Sequence, residues 1–216
     1  MTKKFHEELD ALKEDVLKMG DFVTMFLQQS IESVVEQNED LANSLLEQRR
    51  QIIDDNNDIE ERCVALIALQ QPLASDLRMI VAILKIIEDL VRIGRYGKDI
   101  AEAVAELSKK PHVKKLVSIP QMEEIVVGMV TDALNAFKTG DLSAIENIAD
   151  RDMNVDEMWH SIFRECVSYM LEDPQTITRC IQYVIIARYL ERCGDHAVKI
   201  AERVHFVYTA ERIELR

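Results

Sequence analysis

Turn-forming residues are scarce in this chain. Six glycines and four prolines in 216 residues leave little material for loops, which excludes long irregular segments. No apolar run reaches the ~18 residues that cross a bilayer. The nearest, "MIVAILKII" at 79–87, is broken by Lys85. The amino terminus lacks a signal-peptide pattern, so a soluble, cytoplasmic protein is expected. Positive charge is short as well, and a net charge of −13 repels a phosphate backbone, so nucleic acid is not an expected partner. The four cysteines, Cys63, Cys166, Cys180 and Cys193, show no C-x-x-C spacing and lie in apolar helical patterns, which reads as buried reduced thiols. A Gly-rich phosphate loop and a Ser-His-Asp pattern are also missing, so the usual marks of an enzyme active site are absent.

What is present is 48% hydrophobic residues recurring at three and four residue spacing, among abundant Leu, Ile, Ala, Glu and Lys. An all-α fold of six helices follows. Helix 1 is expected from Thr2 to Gln37, helix 2 from "DLANSLLE" to just before Pro72, and helix 3 from Ser75, as N-cap, to Ser108. After the linker "KKPHVKKLVSIP", helix 4 is expected from Pro120 to Lys138, helix 5 from Asp141, and helix 6 from Pro174 to Tyr208.

The two halves repeat. "EDLA" at 39–42 matches "GDLS" at 140–143, Pro72 matches Pro174, Gly94 matches Gly194, and "IAE" at 100–102 matches "IAE" at 200–202, with an offset between 100 and 102. Short connections between long helices favour antiparallel neighbours, so each half is expected to be a three-helix bundle, residues 1–110 and 119–210. "LERCGDHAVKIAE" at 190–202 keeps the frame of "LVRIGRYGKDIAE" at 90–102. It carries Glu191 and Asp195, however, where the first copy has Val91 and Arg95.

Helix 5 adds Asp152, Asp156 and His160, which spread over only ~80° of helix surface. They border an expected core stripe of Val155, Trp159, Ile162, Phe163, Cys166 and Met170. On helix 6, Glu191, Asp195 and Glu202 fall within ~40° of one another, beside Ala187, Leu190, Gly194, Ala197 and Ala201. Packing helix 5 on helix 6 brings at least four carboxylates together, at a cost that either a multivalent cation or the neighbouring Arg188, Arg192 and Lys199 would relieve. Carboxylate ligands without Cys suit iron, manganese or magnesium and tolerate zinc. "EMWH" at 157–160 and "ERVH" at 202–205 fit the E-x-x-H of dimetal bundles, but Glu157 projects away from the core stripe and cannot share an interior site with His160. His6, His112 and His205 read as surface or helix-end residues, "KKPHVKK" as a solvated linker, and Met122, Met129, Met153, Met158 and Met170 as core filler.

"QPLASDLRMIVAILKIIEDLVRIG" at 71–94 and "LERCGDHAVKIAE" resemble, in order, the two repeat signatures of the PhoU family of phosphate-signalling regulators. The resemblance implies paired three-helix bundles whose acidic motifs bind iron or zinc, in a cytoplasmic protein that is often a homodimer. It also implies a non-enzymatic negative regulator of phosphate uptake and phosphate-starvation signalling. Such a protein contacts the phosphate-specific ABC transporter and its sensor kinase, and reaches the membrane only through those partners. The motif positions fall on Asp152, Asp156, Glu191 and Asp195, with His160 or Glu202 as further candidates. In the first half they fall on Arg49, Ile53, Val91 and Arg95, so metal is expected in the second bundle alone. The alternative from another class is a metal-dependent phosphohydrolase using the same carboxylates.

Overall fold

A computed structural model describes residues 3–215. Its six α-helices are α1 (Lys3–Glu36), α2 (Glu39–Gln70), α3 (Ala74–Leu107), α4 (Ser118–Thr139), α5 (Ile148–Glu172) and α6 (Ile177–Thr209). Thr2, the expected start of helix 1, lies outside the described residues. Each helix buries apolar residues at helical spacing, as α1 does with Leu9, Leu12, Val16, Met19, Val23, Phe26 and Leu27.

The breaks have local causes. Gln37 turns left-handed at φ 54°, and Asn38 then caps α2 by accepting a hydrogen bond from the Leu41 amide at 3.0 Å. Gln71 at φ 45° and Pro72 separate α2 from α3, whose N-cap is Leu73; the expected cap, Ser75, lies inside the first turn. Gly140 at φ 77° ends α4, a conformation glycine adopts without strain. Asp141 does not open helix 5 as expected. It accepts from the Ser143 amide at 3.0 Å and starts a 3₁₀ turn, Leu142–Ile145, before α5. Pro174 likewise opens a 3₁₀ turn, Pro174–Thr176, ahead of α6.

The helices group as two bundles, α1–α3 and α4–α6, joined along α3 on α6 and α1 on α4. On the α3/α6 seam Tyr96 stacks on Tyr189 with ring centroids 5.5 Å apart, and Asp89 meets His196 at 2.8 Å and Arg203 at 2.9 Å. Residue numbers rise on one helix as they fall on the other, so the two run antiparallel. Against α4, Gly20 of α1 leaves room for Leu134, whose Cδ1 would lie 2.3 Å from an added Cβ.

The linker is clasped, not merely solvated. His112 is half-buried; its Nε2 donates to the Val34 and Val35 carbonyls at 3.1 and 3.2 Å, and its Nδ1 shares a hydrogen bond of 2.8 Å with the Tyr183 hydroxyl. The Gln37 side chain donates to the Leu107 carbonyl and to that of Lys110, and Arg179 donates to the Pro111 carbonyl. His112 is thus a structural tie between the bundles, contrary to the expected surface position.

The expected core stripe of α5 is too wide. Val155, Ile162 and Cys166 are buried, Trp159 and Met170 are half-buried, and Phe163 and Met153 are 44% and 57% exposed. The reason is that α5 is an outer helix packed only within its own bundle, so a narrow stripe suffices to cover it.

Two polar residues at buried positions generate predictions. Asp89 is 5% exposed and joins the bundles, so Asp89→Ala should strand Arg203 and His196 and cost about 3 kcal/mol, read as a fall in midpoint by chemical denaturation. Glu123 of α4 is 8% exposed, its Oε1 has no hydrogen-bond partner, and burial with the nearby Glu124 charge pushes its carboxyl up to about 7. A folded-state value above the unfolded one means that stability falls as pH rises from about 4.5 to about 7. Glu123→Gln should therefore stabilise the protein at pH 8, by up to the order of 3 kcal/mol, with the gain vanishing near pH 4 in thermal melts.

Candidate functional site

Gly94 and Gly194 sit at matching points of α3 and α6, and each lets the preceding helix approach closely. A Cβ on Gly94 would lie 2.5 Å from Ile52 Cδ1, and one on Gly194 would lie 3.0 Å from Asp152 Oδ1. Val155 also lies against Gly194, and the buried series Ile52, Ile59 and Cys63 of α2 repeats at one offset as Val155, Ile162 and Cys166 of α5, so Ile52 is matched by Val155. Asp152 and Asp156 then correspond to Arg49 and Ile53.

In the second half the acids assemble between α5 and α6. Asp152 lies against Gly194 and is half-buried, while Glu191 is only 7% exposed. Burial raises the Glu191 carboxyl above its ordinary value; Arg188 and Arg192 act to lower it, and the charges of Asp195 and Asp156 to raise it further. Arg188 donates to Glu191 Oε1 at 2.6 Å and Arg192 to Asp195 Oδ2 at 2.9 Å. Arg192 also comes within 3.6 Å of Glu191 Oε2, yet that oxygen is buried without a hydrogen bond. Lys199, the third expected counter-charge, meets no carboxylate at ion-pair distance among the described residues.

Two candidates stand apart from this cluster. His160 is exposed; it packs edge-on to Trp159 and lines an open groove on the outer face of α5 with Glu157 and Arg164. The E-x-x-H pair Glu157 and His160 therefore shares a surface groove outside the core. Glu202 is held by the C-terminal tail, its Oε1 accepting from the Leu215 amide at 3.0 Å. Of the expected ligands, Asp195 and Asp156 act on Glu191 through their charges, Asp156 from an exposed position, and Asp152 lies against Gly194.

The buried oxygen of Glu191 and the nearby charges of Asp156 and Asp195 are hard oxygen donors of the kind a multivalent cation takes, but among the described residues no three His, Cys, Asp or Glu side chains converge as ready ligands, and Arg188 and Arg192 supply the counter-charge. Burial pushes the Cys63 and Cys166 thiols up to about 12 and Cys193 higher still, so these three are not poised for chemistry.

In the first half the matching positions, Arg49, Ile53, Val91 and Arg95, line a groove of about 520 Å³ between α2 and α3. It offers two guanidinium groups and two apolar side chains where the second half has four carboxylates.

The PhoU domain model matches twice, over residues 16–104 and 119–204, one copy on each bundle. The chain belongs to the PhoU family. It is 36% identical to the "phosphate-specific transport system accessory protein PhoU homolog" of Caulobacter vibrioides, over 98% of this chain and 93% of that protein. The protein of the same name from Aquifex aeolicus is 39% identical over 88% of this chain and 86% of its own length. Among solved structures, PhoU from Pseudomonas aeruginosa superposes with a TM-score of 0.91 at 33% identity, covering 96% of this chain and all of that one. The phosphate transport system regulatory protein PhoU from Streptococcus pneumoniae gives 0.89 at 27% identity, covering 97% and 99%. Two PhoU repeats, six helices and the double bundle thus agree with the sequence-based reading of the fold.

Proposed function

We propose that this chain is a non-enzymatic regulator of phosphate transport that lowers phosphate uptake and phosphate-starvation signalling by contacting the phosphate ABC transporter or its sensor kinase. The observation that carries this reading is full-length likeness, at 36% identity, to proteins named as accessories of the phosphate-specific transport system. The buried, protonated thiols fit an adaptor. Exposed apolar stripes at four-residue spacing, Leu73, Leu77 and Val81 on α3 and Ile177, Ile181 and Ile185 on α6, are the surfaces this reading assigns to self-association as a homodimer and to the transport partner. Deleting the gene should raise phosphate uptake in phosphate-replete cells, and unchanged uptake in both high and low phosphate would refute the proposal. Hydrolysis of phosphoesters by metal-loaded protein would instead favour the phosphohydrolase.

Metal is part of the same reading. Asp152, Asp156, Glu191 and Asp195 hold a divalent or trivalent ion, iron or zinc, which supplies counter-charge between α5 and α6. Glu191→Gln should then act with two signs. In metal-free protein it removes a carboxylate whose ionisation is opposed by burial, so stability at neutral pH rises, with the gain fading as pH falls toward the range where Glu191 is protonated anyway. In metal-loaded protein it removes a ligand, so metal content and the metal-dependent rise in melting temperature both drop. Asp195→Ala should lower metal content likewise, and Arg95→Ala should leave it unchanged, as measured by elemental analysis after purification without chelator.

A further inference from the structure

The groove between α2 and α3 carries an unanswered charge. Arg49 of α2 and Arg92 and Arg95 of α3 line it, and among the described residues none of the three meets a carboxylate at ion-pair distance. Arg50, next to Arg49, lies 3.6 Å from Asp54, and Arg62, Arg151, Arg188, Arg192 and Arg203 pair with acids, while Arg78, Arg164, Arg179 and Arg212 are dispersed and meet none at ion-pair distance among the described residues. With 39 acidic residues against 26 basic ones, three unpaired guanidinium groups around one cavity are not explained by a shortage of carboxylates.

The close contact of Gly94 with Ile52 draws α2 and α3 together, so side chains from both helices reach one space. Its apolar wall is Ile52, Ile53 and Val91. Acids line it too, but toward the other end. Glu60 is 11 residues along α2 from Arg49, or ~16 Å, and Glu88 is seven residues along α3 from Arg95, or ~10 Å, with Arg92 between. Asp89 is already matched by Arg203 and His196. The groove is therefore polarised along its length, with guanidinium groups at one end, hydrogen-bond acceptors at the other and apolar surface between.

Planar guanidinium forks match the oxygens of a phosphoryl group, which several arginines from two helices can hold at once. A space of about 520 Å³ is in the range of small-molecule sites and far exceeds a bare phosphate ion. We propose that the N-terminal groove binds a phosphoryl group on Arg49 and Arg95, with Arg92 assisting, and that the apolar wall and acidic end accommodate the body of an organic phosphate. The proposal rests on these residues alone and is independent of the transport and metal readings.

Isothermal titration of the full-length, metal-free protein in 150 mM KCl tests it, with AMP, inorganic phosphate and adenosine as probes. Saturable one-to-one binding of AMP is expected, with adenosine silent. AMP binding more tightly than inorganic phosphate identifies an organic phosphate as the source, and equal affinities identify the free ion. Arg49→Gln with Arg95→Gln should weaken binding about tenfold or more, while the ion-paired control Arg50→Gln should not change it. Should the double variant lose its native circular dichroism, Arg95→Lys keeps the charge and removes the fork, and should still weaken AMP several-fold. No saturable heat with either phosphate-bearing probe, adenosine binding as well as AMP, or undiminished affinity in whichever variant is folded would overturn the proposal.

Discussion

Close helix approach at Gly94 and Gly194 governs both candidate sites. At each glycine the outer helix of the bundle comes within van der Waals reach of the central one, and the side chain opposite is pressed against bare backbone. A larger residue at either place would push α2 from α3 or α5 from α6, and the groups that line the space between them would no longer converge. The frame is common to the two halves and the lining is not: Arg49, Ile53, Val91 and Arg95 in one bundle, Asp152, Asp156, Glu191 and Asp195 in the other. Packing therefore accounts for the retained repeat, while the side chains that line the two spaces diverge.

The seam between the bundles shows the same economy. Positions 89 and 189 are equivalent in the repeat, as are 96 and 196, and the antiparallel crossing of α3 and α6 pairs 89 with 196 and 189 with 96. One pair is Asp89 with His196, the other Tyr189 stacked on Tyr96. A symmetric ancestor would have needed the same pair twice. Splitting the roles gives one charged, directional contact, reinforced by Arg203, and one broad aromatic contact that tolerates small shifts. The charged pair borders the arginine groove, since Asp89 and His196 both line it, so the seam and the groove share a wall.

Much of this architecture was legible in sequence because it follows from periodicity: helix count, the repeat and the bundle pairing all come from apolar spacing and the placement of Pro72, Pro174, Gly94 and Gly194. The second-half acids were legible for the same reason, since four-residue spacing on a helix places Glu191 beside Asp195 wherever the helix packs. What failed was whatever depends on a contact across elements. His112 has no local pattern that marks it as a tie to Tyr183 and to the α1 carboxyl end, and none marks Asp89 as the partner of His196 on α6. His160 and Glu202 fall within the acidic faces by angle, but one is drawn out beside Trp159 and the other is taken by a backbone amide of the tail.

The two grooves also constrain each other electrostatically. Four carboxylates in one bundle contribute negative charge that burial already opposes at Glu191, and three arginines in the other place positive charge across a seam only two helices thick. α3 and α6 each line a groove on one face and form the seam on another, and Asp89 and His196 of the seam also line the arginine groove. An insertion of charge at the seam would thus perturb both bundles at once, whereas a change at the outer faces of α2 or α5 would stay local, because those helices pack mainly within their own bundle.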